Sequence, residues 1–380
     1  MNRSSIINIW GFLLLTTLLY GCSGETPESL TPSSEDAMRI PMSFQIYSAR
    51  NTTQSRANTD YYIDGTERKT LPAGSSLGVF AYYTNKKTWS EAKSSIEPNF
   101  MNDQEMKVMA SVGQNGVSLS YNPTRYWPND DNQKITFSGY YPFASEKDNH
   151  GISIIEGGLN NFKPALNFRV KNNSAEQIDL LLSDVLNDRT RSDATHPLVL
   201  KLNHTLCQIV VKIKLSDEYK NENVKLTGRN WKIKGVYNTG NVYMDCTNPH
   251  AQVVKWQDRS YSTGNYTTWR YEAHPVDNAH EDTTTSNNDV LLLIPQTVTS
   301  HAVIRIGYDL KFFADDHTTE LYHYDNNTTE IDLNKAGITE WKPGMRYTYT
   351  FVVGLNEIKI NATTTNWLEE TINYDENFNN

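Results

Sequence analysis

The chain has 380 residues, of which 38% are hydrophobic, 11% aromatic and 21% charged, with a mean hydropathy of −0.60. That is a folded chain long enough for two cores, and neither a disordered nor a multi-spanning one. Its 35 Lys and Arg against 44 Asp and Glu leave a formal charge of −9, which excludes the basic footprint of a nucleic-acid binder. Three Cys cannot build a disulfide scaffold, and 22 Tyr, with many Thr and Asn, favour strands over helices.

In chain order the first element is a leader. Arg3 precedes an apolar run from Ile6 to Leu19 that is too short and too early for a stop-transfer helix. The run closes in Leu19-Tyr20-Gly21-Cys22, which resembles the lipobox of bacterial lipoproteins. The resemblance implies a signal peptide over 1–21, cleaved between Gly21 and Cys22, with acyl chains then carried on Cys22. Tyr20 is bulkier than the residue usual at its position, and the alternative is an ordinary secretory signal that ends near a Cys. Each buried methylene contributes about 0.8 kcal/mol, so several chains hold a protein on a bilayer. Residues 22–41, rich in Ser, Thr, Pro and Glu, read as a tether. No later stretch approaches the length of a membrane span, so the expected mature protein is anchored to a bilayer and does not cross it.

From Met42 onward the dominant period is two. The run Leu77–Tyr82 is near-continuously apolar and suits a central strand covered on both faces, as does 290–294. In Cys207-Gln208-Ile209-Val210-Val211-Lys212-Ile213-Lys214-Leu215 the odd positions share an inward face and Gln208, Lys212 and Lys214 take the other, the pattern of a half-buried antiparallel strand. Residues 302–310 and 347–355 repeat it, and further strands are expected at 43–47, 135–141, 166–170, 178–182, 198–202 and 231–236. Turn signals such as Asn115-Gly116 and Pro343-Gly344 lie between them, and any helix is short. The expected fold is all-β, with two tandem antiparallel β-sandwich domains over 42–192 and 193–367 and a tail over 368–380. The polar stretch 187–193 is the expected boundary.

Chemistry is sparse. The nine His are scattered, with no H-E-x-x-H, C-x-x-C, G-x-S-x-G, P-loop or dinucleotide fingerprint, so no enzyme, metal or cofactor is expected. His317 and His323 beside Asp315 and Asp316 read as a solvated loop with at most adventitious metal affinity. Cys207 reads as a small buried hydrophobe, and a bridge to Cys246 is left open. Trp127, Trp341 and Trp367 either line a sugar-binding face or cap sandwich cores.

The order of motifs is more telling than any one of them. Met42-Ser43-Phe44 is followed by Leu77-Gly78-Val79-Phe80-Ala81-Tyr82-Tyr83, Tyr121-Asn122-Pro123-Thr124-Arg125-Tyr126-Trp127-Pro128 and Phe137-Ser138-Gly139-Tyr140-Tyr141-Pro142. Asp179-Leu180-Leu181-Leu182-Ser183-Asp184, Leu202-Asn203-His204-Thr205-Leu206-Cys207, Leu293-Ile294-Pro295-Gln296-Thr297 and Trp341-Lys342-Pro343-Gly344-Met345-Arg346-Tyr347 complete the series. The whole mature chain resembles the fimbrillin family, fimbrial subunits and fimbrillin-like lipoproteins of anaerobic Gram-negative bacteria. The resemblance implies two transthyretin-like sandwiches and assembly with other fimbrial subunits in a surface fimbrium. In stalk subunits a protease cuts after a basic residue, the first strand leaves, and a terminal segment of the next subunit replaces it. Such head-to-tail contacts do not close, so they build a filament. Carried onto this chain, the departing segment is Cys22 through a first strand at 40–48, and the candidate cleavage residues are Arg50, Arg56 and, upstream of that strand, Arg39. The alternative is a permanently attached subunit. At the other end Ile372, Tyr374 and Phe378 share one face of an extended chain, a spacing suited to a neighbour's groove or else to an acidic tail. The runner-up function is a monomeric surface lipoprotein that binds glycans.

Overall fold

The structure is a computed structural model that describes residues 39–46, 61–63, 66–68, 71–110, 117–145, 147–158, 162–219, 223–245, 253–261, 271–273, 290–354 and 358–366. Among the described residues the strands make one nine-stranded sheet, three four-stranded sheets and a two-stranded hairpin. Helix among the described residues is limited to the single α-turn Trp89–Ala92 and short 3-10 turns. The all-β expectation is met. Cys22, Gly21, Arg50, Arg56, Cys246, Trp367 and the 368–380 tail lie outside the described residues.

The widest sheet runs Leu198–Leu200, Phe44–Ile46, Val117–Ser120, Met101–Val108, Ser76–Asn85, Lys134–Tyr141, Leu181–Ser183 and Leu202–His204, with Leu186–Arg189 paired to Lys134–Tyr141 off that path. A twisted sheet of this width curls rather than lying open. Phe44 therefore meets Phe137 edge-on at 5.4 Å between ring centroids, although three strands separate theirs in the sheet order. Leu200 reaches the same side, its Cδ1 lying 3.6 Å from where a Cβ on Gly139 would stand. The curl closes on a core that includes Ile46, Val79, Ile135, Leu181 and Leu202, all buried.

The other face of the central strands belongs to a second core. Phe80, Tyr82 and Tyr140 pack there with Leu166, Phe168, Val242, Trp256 and the apolar faces of the later strands. Ser76–Asn85 is thus covered on both sides, as its unbroken apolar run requires. Gly78 lets the Tyr140 ring cross the backbone, because a Cβ there would fall 2.2 Å from Tyr140 Cε1. The crossing brings the Tyr140 hydroxyl to Asp103 Oδ1 at 2.8 Å, and burial pushes the Asp103 carboxyl above its usual range.

Two of the four-stranded sheets carry the later strands. One orders Val290–Leu293, Cys207–Leu215, Met345–Val353 and Ile358–Asn366, and the other Tyr271–Ala273, Val224–Lys234, Val303–Phe313 and Glu320–Asp332. The third joins Val253–Ser260, Thr239–Asp245, Ala165–Arg169 and Ile152–Ile155. Cys207–Leu215 departs from expectation in two ways. It pairs antiparallel with Val290–Leu293 but parallel with Met345–Val353, since the chain returns to it only after a long excursion. Gln208, expected to face solvent, is buried and accepts from Arg346. Val290–Leu293 is buried on both faces although it ends its sheet, and its edge is covered by Gln177 Oε1, which accepts the Leu292 amide at 2.7 Å. Cys207 is a buried free thiol that donates to the Leu293 carbonyl.

The polar stretch 187–193 is built into the wide sheet as the strand Leu186–Arg189 and a 3-10 turn. The next two strands, Leu198–Leu200 and Leu202–His204, remain in that sheet, and the chain leaves it through Thr205 and Leu206. A buried polar cluster marks the exit. The Thr205 hydroxyl donates to Leu180 O at 2.6 Å, Trp256 Nε1 donates to Thr205 O at 2.8 Å, and His204 Nδ1 pairs with Asp179 Oδ2. Asp179 Oδ1 has no partner among the described residues, and burial drives the carboxyl upward against the pull of His204. Removing one member of such a pair strands the other in an apolar interior. His204→Ala is expected to cost about 3–5 kcal/mol in urea unfolding, and a loss below about 1 kcal/mol would contradict this role.

Candidate assembly groove

Ile40-Pro41-Met42-Ser43-Phe44-Gln45-Ile46 alternates apolar and polar residues, and the structure alternates with it. Met42, Phe44 and Ile46 are 3%, 1% and 1% exposed, while Pro41 and Ser43 face out. The strand Phe44–Ile46 lies inside the sheet and has a neighbour on each side. It is antiparallel to Val117–Ser120 and parallel to Leu198–Leu200, with Phe44 opposite both Leu119 and Leu198. Leu198–Leu200 ends the sheet, so its only strand partner among the described residues is this segment.

The pairing extends backwards past the strand. Met42 N donates to Arg125 O at 2.8 Å, Trp127 N to Ile40 O at 2.9 Å, and Leu198 N to Ser43 O at 2.8 Å. Pro41, which has no N–H to give, sits at an isolated bridge opposite Tyr126. The Tyr121 hydroxyl donates to Met42 O at 2.9 Å and accepts the Arg125 amide at 3.3 Å, and burial raises its pKa. Phe44 is enclosed by Tyr121 at 5.5 Å and Phe137 at 5.4 Å, both edge-on, with Trp127 behind Phe137 at 6.5 Å.

Two kinds of interaction therefore hold residues 40–46. Burying each of Met42, Phe44 and Ile46 contributes roughly 1.5–3 kcal/mol. The backbone groups of Val117–Ser120, Arg125, Trp127 and Leu198–Leu200 that bond the segment would face solvent or an apolar trough if it left, and each unmet group is costly. The trough has room for large apolar side chains at alternate positions, which is the footprint of a strand.

The candidate site residues fall unevenly. Arg39 is exposed and directly precedes the paired segment. A cut after Arg39 leaves Ile40–Ile46 in the sheet, whereas a cut after Arg50 or Arg56 separates that segment from the remainder of the chain. Trp127 and Trp341 are core residues at 4% and 1% exposure, Trp341 donating to the Tyr349 hydroxyl at 2.9 Å. Among the described residues the exposed large aromatics are instead Tyr126, Tyr322 and Tyr324. The 315–319 segment is a hairpin turn in which Asp316 accepts the Thr319 hydroxyl and the Thr318 and Thr319 amides, holding its carboxyl down at about 2. His323 sits between Glu320 and Asp325, and among the described residues no three potential metal ligands converge. Sequence reasoning missed the job of Tyr121–Trp127. The motif was visible, but its partner lies some eighty residues upstream, with |i−j| of 79 for the Tyr121–Met42 bond.

The family described as fimbrillin-like matches residues 55–367. The chain belongs to the fimbrillin-like family. The match begins after the Phe44–Ile46 strand and takes in the groove walls. This fimbrillin-like chain is 25% identical over 378 residues to the fimbrium subunit Fim1C of Phocaeicola vulgatus, covering 92% of each. Its fold is similar to the crystal structure of a fimbrial protein from Bacteroides vulgatus, with a TM-score of 0.61 and 21% identity over 87% of this chain and all of the other. The family is one of structural fimbrial subunits, not of enzymes.

Phe44→Ala in the fimbrillin-like chain removes the side chain that fills the trough, and is expected to cost about 3–5 kcal/mol. Urea unfolding followed by tryptophan fluorescence reads this out through Trp127, and a cost below about 1 kcal/mol would show that the segment is not held by its core contacts.

Proposed function

We propose that the chain is a structural or adhesive subunit of a cell-surface fimbria, exported as a lipoprotein through Cys22 and assembled by exchange of its first strand for a segment of a neighbouring subunit. The single observation that supports it is the insertion of Ile40–Ile46 between two strands, bonded on both sides and apolar on the inner face. A strand at a sheet margin could leave without consequence. A strand in this position leaves a groove that only another strand satisfies, and that demand is a mechanism for polymerisation.

In this reading Cys22 holds the precursor at the outer membrane, and a trypsin-like surface protease cuts after Arg50 or Arg56. The released segment frees the trough, and the alternating Ile372, Tyr374 and Phe378 of the next copy or of a companion subunit enter it. We assign the hand-over between the two expected sandwich bodies to Thr205 and Leu206, because Leu198–Leu200 and Leu202–His204 still belong to the wide sheet while Cys207–Leu215 belongs to another. No catalytic role is assigned to the chain.

The test is to treat the exported protein with a trypsin-like protease and follow its N-terminus and its size in detergent. A new terminus at Asn51 or Ala57, together with detergent-resistant ladders, is the expected result. A terminus at Ile40, or Cys22 retained in assembled fimbriae, would contradict a cleaved stalk role and indicate an anchor. A monomer that never polymerises after cleavage at Arg50 or Arg56 would overturn strand exchange.

A further inference from the structure

Away from the groove, the sheet that contains Ala165–Arg169 and Thr239–Asp245 carries a cavity of about 730 Å³. Its walls come from several separate segments: the 149–151 turn with Ser153 of the strand that follows, the end of Ala165–Arg169 with the residues after it, Thr239, and Ser260 with Tyr261. The size is within the range of small-molecule sites, about 300–1,000 Å³. The lining differs from a drug-like pocket, because it is dominated by amides, hydroxyls and two cations.

Arg169 and Lys171 are the charged residues of the lining, and no carboxylate accompanies them. Neither side chain is ion-paired among the described residues, although the chain as a whole carries a formal charge of −9. An acidic protein that places two unpaired cations at one cavity has a local field suited to an anion. Around them stand Asn149, Asn167, Ser153 and Ser260 as hydrogen-bonding groups, and the ring of Tyr261, which lies 4.6 Å from Tyr237 between centroids. The Thr239 hydroxyl at the wall is buried without a partner among the described residues.

The backbone keeps this space open. Gly151 has φ +80, and a Cβ there would fall 2.3 Å from the Arg169 carbonyl, so only glycine lets the 149–151 turn approach the strand this closely. The approach is fixed by Arg169 N donating to Gly151 O at 2.8 Å and Val170 N to Asn238 O at 2.8 Å. Asn149 Oδ1 accepts the Gly151 amide at 3.0 Å, which orders the turn from its own side chain.

We infer that this cavity binds an anionic glycan, a sugar bearing a carboxylate or a sulfate, with Arg169 and Lys171 holding the anion. A guanidinium takes either oxyanion in a forked pair, and an ammonium adds a second point charge. The amides and hydroxyls meet the sugar hydroxyls, and the Tyr261 ring offers an apolar face to a pyranose. The inference gives the adhesive role a ligand chemistry, yet it does not depend on strand exchange, because the site belongs to a single chain.

The test is calorimetric or saturation-transfer titration of the purified full chain with lactose, sialyllactose and 3′-sulfated lactose. The two charged probes separate a carboxylate from a sulfate preference, while lactose carries the same sugar without the anion. At least one charged probe is expected to bind at least about tenfold tighter than lactose. Raising the salt concentration should weaken that binding. Arg169→Gln with Lys171→Gln should remove the preference for the charged probe by about tenfold or more, with the unfolding curve unchanged because Arg169 and Lys171 are exposed. Equal binding of lactose, no saturable binding of either charged probe, or an unaltered preference in the double variant would overturn the proposal. Each of those results leaves the protease test of assembly untouched.

Discussion

Backbone hydrogen bonding on both sides of Ile40–Ile46 is the constraint on which the wide sheet depends. The segment joins Val117–Ser120 to Leu198–Leu200, two strands separated by some eighty residues and, among the described residues, paired to each other through nothing else. Its inner face places Phe44 against Phe137 and so links the sheet's margin to its centre. One short piece of chain therefore supplies both the lateral continuity of the sheet and part of the core that its curl encloses. The proposed assembly requires a strand whose loss would create a strong and specific demand, and residues 40–46 are placed to be that strand.

The rest of the fold keeps that demand local. The second core, from Phe80 and Tyr140 through Trp256 to Phe351, takes no side chain from residues 40–46. The exit from the wide sheet is secured separately by the Asp179–His204 pair, the Thr205 hydroxyl and the Trp256 indole. Loss of the first strand would thus open one groove without removing contacts that hold the later sheets. The cationic cavity of Arg169 and Lys171 is carried by a different sheet from the one that holds the groove strands Val117–Ser120 and Leu198–Leu200.

The alternating patterns made much of this legible in the sequence. Strands such as Ser76–Asn85, Met345–Val353 and Val303–Phe313 were readable because their burial follows the apolar positions directly. What the pattern could not carry was pairing. Period two tells which face of Cys207–Leu215 is inward, but not that one neighbour is parallel, nor that Gln208 meets Arg346. Nor does the polarity of 187–193 mark where a sheet ends, since Leu198–His204 continues it. The candidate groove shows the same division. Met42, Phe44 and Ile46 announced a strand, while the clamp formed by Tyr121, Arg125 and Trp127 exists only through contacts distant in sequence. The cavity gave no signal, because Arg169 and Lys171 look like ordinary solvated cations until the 149–151 turn is folded against them.

The most direct measurement of the central claim is amide hydrogen exchange at Val117–Ser120 and Leu198–Leu200, compared among the intact chain, the chain cleaved at Arg50 or Arg56 with its first segment released, and the assembled polymer. The account predicts slow exchange in the intact chain, fast exchange at both strands after release, and slow exchange again on assembly. Protection that stays the same after the segment has left would contradict it, because the walls of the groove would then not need a strand between them.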